Sequence, residues 1–162
     1  MRNGGNGVTE ETSRDANCCR AEVGELVQRL VRAFQLFERD HIRVLGFTST
    51  QGYALLEVSE RPGVTMNELS ERMNVDGSTM TRVVDLLVRD GWLVRRREDD
   101  DRRVVRVFLA EKAGEAVSRL RDNLDAYYGN IVKNLPEGRV EEVLAVSELL
   151  LSALKRSNPK CC

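Results

Sequence analysis

The spacing of apolar residues changes character once along this chain, and that change limits what it can fold into. As far as Asp90 they recur at helical intervals; from Trp92 to Leu109 the pattern shifts towards period 2; after Leu109 the helical interval returns. The two strand-like runs, 92–97 and 104–109, flank the polar tip Glu98-Asp99-Asp100-Asp101-Arg102-Arg103. One β-hairpin inside an otherwise helical chain is the expectation.

The helical runs have clear limits. Val23, Leu26, Val27, Leu30, Val31, Phe34 and Phe37 predict a long amphipathic helix up to about Leu45, ended by Gly46. Thr48 or Ser49 can cap a second helix with Tyr53, Leu55, Leu56 and Val58 inward, broken at Arg61-Pro62-Gly63. Thr65 with Glu68 has capping-box spacing and opens a short third helix carrying Met66, Leu69 and Met73. After the turn Asn74-Val75-Asp76, a fourth helix runs from about Gly77 to Asp90. Its stripe is Met80, Val83, Val84, Leu87 and Val88, and Ser78, Thr79, Thr81, Arg82, Asp85 and Arg89 fall largely outside it. Beyond the hairpin, a long helix reaches Pro136 and a last one carries Val140 to Leu154. Residues 1–17 hold one Val and no aromatic, which predicts a flexible arm.

Two short helices, a helix with a polar exposed start and a hairpin, in that order, spell a winged helix-turn-helix. Such a start can meet base edges in the major groove, and arginines on the hairpin can follow the adjacent backbone. The formal charge of -1, from 25 Lys and Arg against 26 Asp and Glu, excludes a uniformly basic coat but leaves room for a local patch. No apolar run approaches the ~18 residues of a membrane span, and no secretory signal opens the chain, so no membrane partner and a cytoplasmic location are expected. No nucleophile elbow, phosphate-binding Gly loop, HExxH or dinucleotide fingerprint invites an enzyme reading.

From Phe47 to Leu109 the chain resembles the DNA-binding lobe of MarR-family transcriptional regulators. The resemblance rests on Gln51, on Pro62-Gly63-Val64-Thr65-Met66-Asn67-Glu68-Leu69, and on the run from Ser78 to Leu87. It continues through Asp90-Gly91-Trp92-Leu93-Val94 and a wing pattern of Asp101, Arg103 and Leu109, with Ala110 in place of the closing Thr. It implies a mainly α fold: a flexible arm (1–17), a dimerisation helix (18–46), the winged lobe (47–109), and dimerisation helices with a tail (110–162). It also implies a homodimer on a palindromic double-stranded operator, acting as a repressor. Ser78, Thr79, Thr81 and Arg82 would meet the groove, Asp101 would shape the wing by pairing with Arg103 or a neighbouring Arg, and Arg102 or Arg103 would reach phosphates or the minor groove. The acidic tip predicts few phosphate contacts per wing and a moderate salt dependence.

Dimerisation has support in the residues themselves. Leu149, Leu150 and Leu151 in succession cannot all point into one small lobe, and exposed apolar area costs ~25 cal/mol per Å².

Four cysteines form two vicinal pairs, Cys18-Cys19 and Cys161-Cys162, with none between. Structural zinc sites favour spaced pairs, so a soft metal or metalloid effector suits these better. Oxidation to disulfides and a role as incidental thiols are the alternatives. An aromatic ligand in the crevice between lobes is a further effector route that the resemblance implies. No cofactor is needed for the fold. His41, the only histidine, is expected to pack rather than to bind a metal.

Overall fold

The chain is described by a computed structural model that covers residues 8–98 and 104–157, with side chains from residue 21 onward except Phe37. In order, the elements are α1 (Val8–Arg43), α2 (Ser49–Glu60), β1 (Val64–Thr65), α3 (Met66–Arg72) and α4 (Gly77–Arg89). Then come β2 (Leu93–Arg97), β3 (Val105–Leu109), α5 (Ala113–Lys133) and α6 (Val140–Ser157). Two units separate between Asp40 and His41.

The first unit contains most of α1. This helix begins at Val8, so residues 8–17 are helical where composition predicted a flexible arm. The sequence there contains no Gly or Pro to interrupt a helix. On α1, Val23, Leu26, Leu30, Val31, Phe34 and Leu36 are exposed.

The second unit holds the core. Leu55 and Val58 of α2, Leu69 of α3, Met80, Val84 and Leu87 of α4, Leu93 of β2 and Val107 of β3 are buried together with Leu120 of α5. Both short helices begin as the sequence predicts. The Thr48 hydroxyl accepts from the Gln51 amide at 3.3 Å, while Gln51 Oε1 accepts from the Thr48 amide at 2.9 Å. Thr65 and Glu68 repeat the exchange at 3.2 and 2.8 Å. Each reciprocal pair satisfies amides that a helix start leaves unpaired.

Two features differ from the expectation. The hairpin is part of a three-stranded antiparallel sheet of order β1-β3-β2, with Val64 opposite Val107 and Thr65 opposite Arg106. A two-residue strand carries no readable period, so β1 was not visible in the apolar pattern. Secondly, the expected boundary at residue 110 does not end the lobe. Ala113, Val117, Leu120 and Leu124 are buried, and Arg121 donates to the Ser59 hydroxyl at 3.2 Å, so the first half of α5 closes the core over α2. By contrast, α6 has no buried residue. Among the described residues no helix is long and apolar enough to cross a membrane.

Candidate nucleic-acid interface

The turn between α3 and α4 sets the direction of the candidate recognition helix. Met73 closes α3, Asn74 adopts φ 49, and the Val75 amide donates to the Ser70 carbonyl at 3.0 Å. A left-handed residue at this point reverses the chain in few steps, and Asn tolerates that conformation better than most residues. Asp76 then caps α4, accepting from the Ser78 hydroxyl at 2.6 Å and the Thr79 amide at 2.8 Å. Hydrogen bonds from Ser78, and then from Thr79, hold the Asp76 carboxyl well below the usual carboxylate range. Its charge also lies at the positive end of the helix dipole.

The first two turns of α4 present Ser78, Thr79, Thr81 and Arg82, all exposed, on the side away from Met80, Val84 and Leu87. The Thr81 hydroxyl donates to the Gly77 carbonyl at 2.7 Å, and the Ser78 hydroxyl to Asp76. Both therefore offer acceptor lone pairs outward, suited to the amino groups of cytosine or adenine in the major groove. Arg82 is exposed and has no ion pair among the described residues.

The hairpin stands beside this helix. Strand pairing sets Arg95 opposite Val107 and Arg96 opposite Arg106, so Arg95 and Arg97 share one face and Arg96 the other. Arg95 forms an ion pair with Asp85 of α4, and its Nη2 also donates to the Thr81 carbonyl at 3.5 Å. On the opposite face, Arg106 donates to the Gly63 carbonyl at 3.0 Å and to Glu98 at 2.6 and 2.9 Å. Arg96 lies over the Phe108 ring at 5.0 Å. Asp101, Arg102 and Arg103, the expected wing-tip residues, lie outside the described residues.

Sequence reasoning did not single out Asp76, Asp85 or Arg106 for the interface, and took Arg95 only as one of the hairpin arginines that could follow the DNA backbone. A signal existed for Asp85. A carboxylate on the exposed face of a helix meant to approach phosphates must be neutralised nearby, which points to an arginine partner on a neighbouring element. Only the tertiary fold identifies that arginine.

For the cysteines, the backbone at Cys18 and Cys19 belongs to α1, but their side chains lie outside the described residues, as do Cys161 and Cys162 entirely. Among the described residues no group of three His, Cys, Asp or Glu is arranged to hold a metal. His41 is half-buried against Tyr127, with ring centres 5.8 Å apart, and its carbonyl accepts from Asn123 at 3.4 Å. A cavity of about 260 Å³ lies between Val44, Leu45, Trp92 and the α5 residues Glu115, Ala116 and Arg119. Lys112, at its edge, sits over the Trp92 ring at 4.4 Å.

A capped helix with an exposed polar start, preceded by a tight turn and followed by a braced antiparallel hairpin, defines a winged helix-turn-helix protein. Residues 45–104 match the model of the MarR family, and this segment of the chain belongs to that family. The chain is a transcriptional regulator of MarR type. It is 21% identical over 117 residues to the HTH-type transcriptional regulator BilQ of Clostridium symbiosum, covering 72% of this chain and 81% of that one. Over 76 residues it is 34% identical to the transcriptional repressor MprA of Escherichia coli, covering 46% of this chain and 43% of the relative. Its fold is also similar to that of a mutant MarR from E. coli crystallised with operator DNA. There the TM-score is 0.72 at 24% identity, covering 82% of this chain and 94% of that one.

Proposed function

We propose that this regulator is a homodimer that binds a palindromic operator sequence-specifically, as a repressor, and releases it on meeting an effector. The observation that carries DNA binding is the exposed group Ser78, Thr79, Thr81 and Arg82 at the start of α4, beside a hairpin bearing Arg97. A solved relative bound to operator DNA, MarR of E. coli, supports the same reading. In this reading α4 enters the major groove, Arg82 reads a base edge, and Arg102 or Arg103 on the wing reaches the backbone.

Dimerisation is supported by α6, where Val143, Leu144, Val146, Leu149, Leu151 and Leu154 are all exposed. A second copy that covers such a helix removes apolar area from water at ~25 cal/mol per Å². It also supplies the second recognition helix that a two-fold operator demands.

For the effector, the two vicinal cysteine pairs favour a soft metal ion or an arsenical, with thiol oxidation as the redox variant of the same site. Its binding need only differ between the DNA-competent and DNA-incompetent dimers by ~1.4 kcal/mol for a tenfold loss of operator affinity. A second reading is favoured by the cavity beside Trp92, where an aromatic ring could lie against Leu45 and Ala116 with an acid group near Arg119.

Gel-shift titration on the DNA upstream of the protein's own gene tests the proposal, repeated with arsenite, cadmium, mercury and peroxide. Salt-dependent binding with two-fold protection is the expected result, and dimerisation without DNA binding would favour a protein-assembly role instead. A variant with Ser at Cys18, Cys19, Cys161 and Cys162 that still releases DNA on adding arsenite or cadmium would move the effector to the Trp92 cavity.

A further inference from the structure

We propose that Asp85 and Arg95 are a positioning pair that sets the angle of the wing against the recognition helix, a role that rests on the DNA-binding reading above. The hairpin leaves the core early. Leu93 is buried, Val94 and Arg95 are half-buried, and Arg96 and Arg97 are exposed. On β3, Val107 is the buried residue. The outer half of the hairpin is thus a lever with few apolar contacts to fix its direction.

Arg95 supplies the missing hold on the side of α4. Its guanidinium pairs with the Asp85 carboxylate and approaches the Thr81 carbonyl, two positions one helical turn apart. A grip at two points on one helix fixes direction as well as distance, and the planar fork of an arginine suits it. Arg95 Nε is buried without a hydrogen-bond partner, an unfavourable position for a guanidinium nitrogen. The side chain is therefore held in place by its outer nitrogens rather than by solvation along its length.

Charge points the same way. Asp85 is about half exposed, on the face of α4 that also carries Thr81 and Arg82. Unpaired, it would repel an approaching phosphate backbone. Paired with Arg95, it becomes part of a neutral brace, while Arg82 and Arg97 keep their charge for DNA. Ion pairs this exposed add little to stability, so the geometry of the wing is the property they can set.

The test uses the full chain and a duplex enriched by the wild-type protein from a random pool, together with the same duplex trimmed of its outer base pairs. Asp85→Ala and Arg95→Ala should each bind the long duplex about tenfold more weakly, on the order of one or two lost phosphate contacts. The double variant should be no worse than the weaker single, because the two residues act as one unit. On the trimmed duplex, which the wing no longer reaches, variants and wild type should bind alike. Without DNA, amide exchange at residues 95–97 and 105–107 should quicken in both variants while the melting temperature holds. Unchanged or tighter binding by Asp85→Ala, a loss that persists on the trimmed duplex, or unchanged exchange in the wing would each overturn the role. If Asp85→Ala melts early, Asp85→Asn takes its place, since it keeps the shape and removes the charge. A wild-type chain that enriches no duplex would overturn the DNA-binding reading, while the exchange measurement would still judge the brace.

Discussion

A Cβ atom placed on Gly52 would lie 2.8 Å from Ile42 Cγ2 and 3.4 Å from Leu120 Cδ2. Both neighbours are fully buried, so neither can swing aside. Gly52 is thus the point where α2 meets the end of α1 and the inner face of α5. Gly52→Ala should destabilise the fold by about 1–3 kcal/mol despite the better helix propensity of alanine, as overpacking does in a closed core. Chemical denaturation of the purified variant measures this, and a variant as stable as wild type would show that the contact has slack.

Arg82 should carry base discrimination, since it is the uncommitted guanidinium among the exposed residues at the start of α4. Arg82→Ala is expected to weaken operator binding by roughly tenfold to a hundredfold and to blur preference at one base position. Competition against single-base operator variants reads both effects. Replacing Arg102 and Arg103 by Ala should instead weaken binding to every sequence and lower the salt slope by about one unit per lost phosphate contact. An unchanged slope would remove the wing tip from the interface.

Acid should loosen the start of α4 before the core. The Ser78 and Thr79 hydrogen bonds keep the Asp76 carboxyl depressed, and the Thr65 hydrogen bonds do the same for Glu68. A carboxyl depressed in the folded state binds fewer protons there than in the unfolded chain. Its stabilisation is therefore fully present above the ordinary carboxylate value and is lost as pH falls through the folded one. Denaturation midpoints should fall below about pH 4, and Asp76→Asn, which can still cap but cannot titrate, should flatten part of that fall. An identical acid profile in Asp76→Asn would assign the loss to other carboxylates.

The exposed leucines of α6 should matter for assembly rather than for folding of the lobe. Leu149 is 67% exposed and Leu151 51% exposed. Leu149→Lys with Leu151→Lys should shift the protein towards monomer in sedimentation while the lobe keeps its cooperative melting. Operator affinity should fall with it, because a single recognition helix reads only one half-site. A variant that remains dimeric would locate the interface elsewhere.

By itself the sequence determined the order of the helices and the hairpin, and the start of each short helix. Capping boxes are local: Thr48 with Gln51 and Thr65 with Glu68 exchange hydrogen bonds across three residues, and no distant group takes part. The same holds for the polar start of α4, where exposure of Ser78, Thr79, Thr81 and Arg82 follows from the position of Met80, Val84 and Leu87 on the opposite face. The tertiary structure alone decided the rest. Val64 and Thr65 became a third strand only because Val107 and Arg106 came alongside, and the first half of α5 joined the lobe because Gly52 left room for Leu120. Asp85 and Arg95, ten residues apart, became a brace because Gly91 turns the chain back at φ 73 and lays β2 beside α4. Periodicity reports which face of an element is buried; it does not report which partner an exposed charge will meet, because that depends on how two elements cross in space.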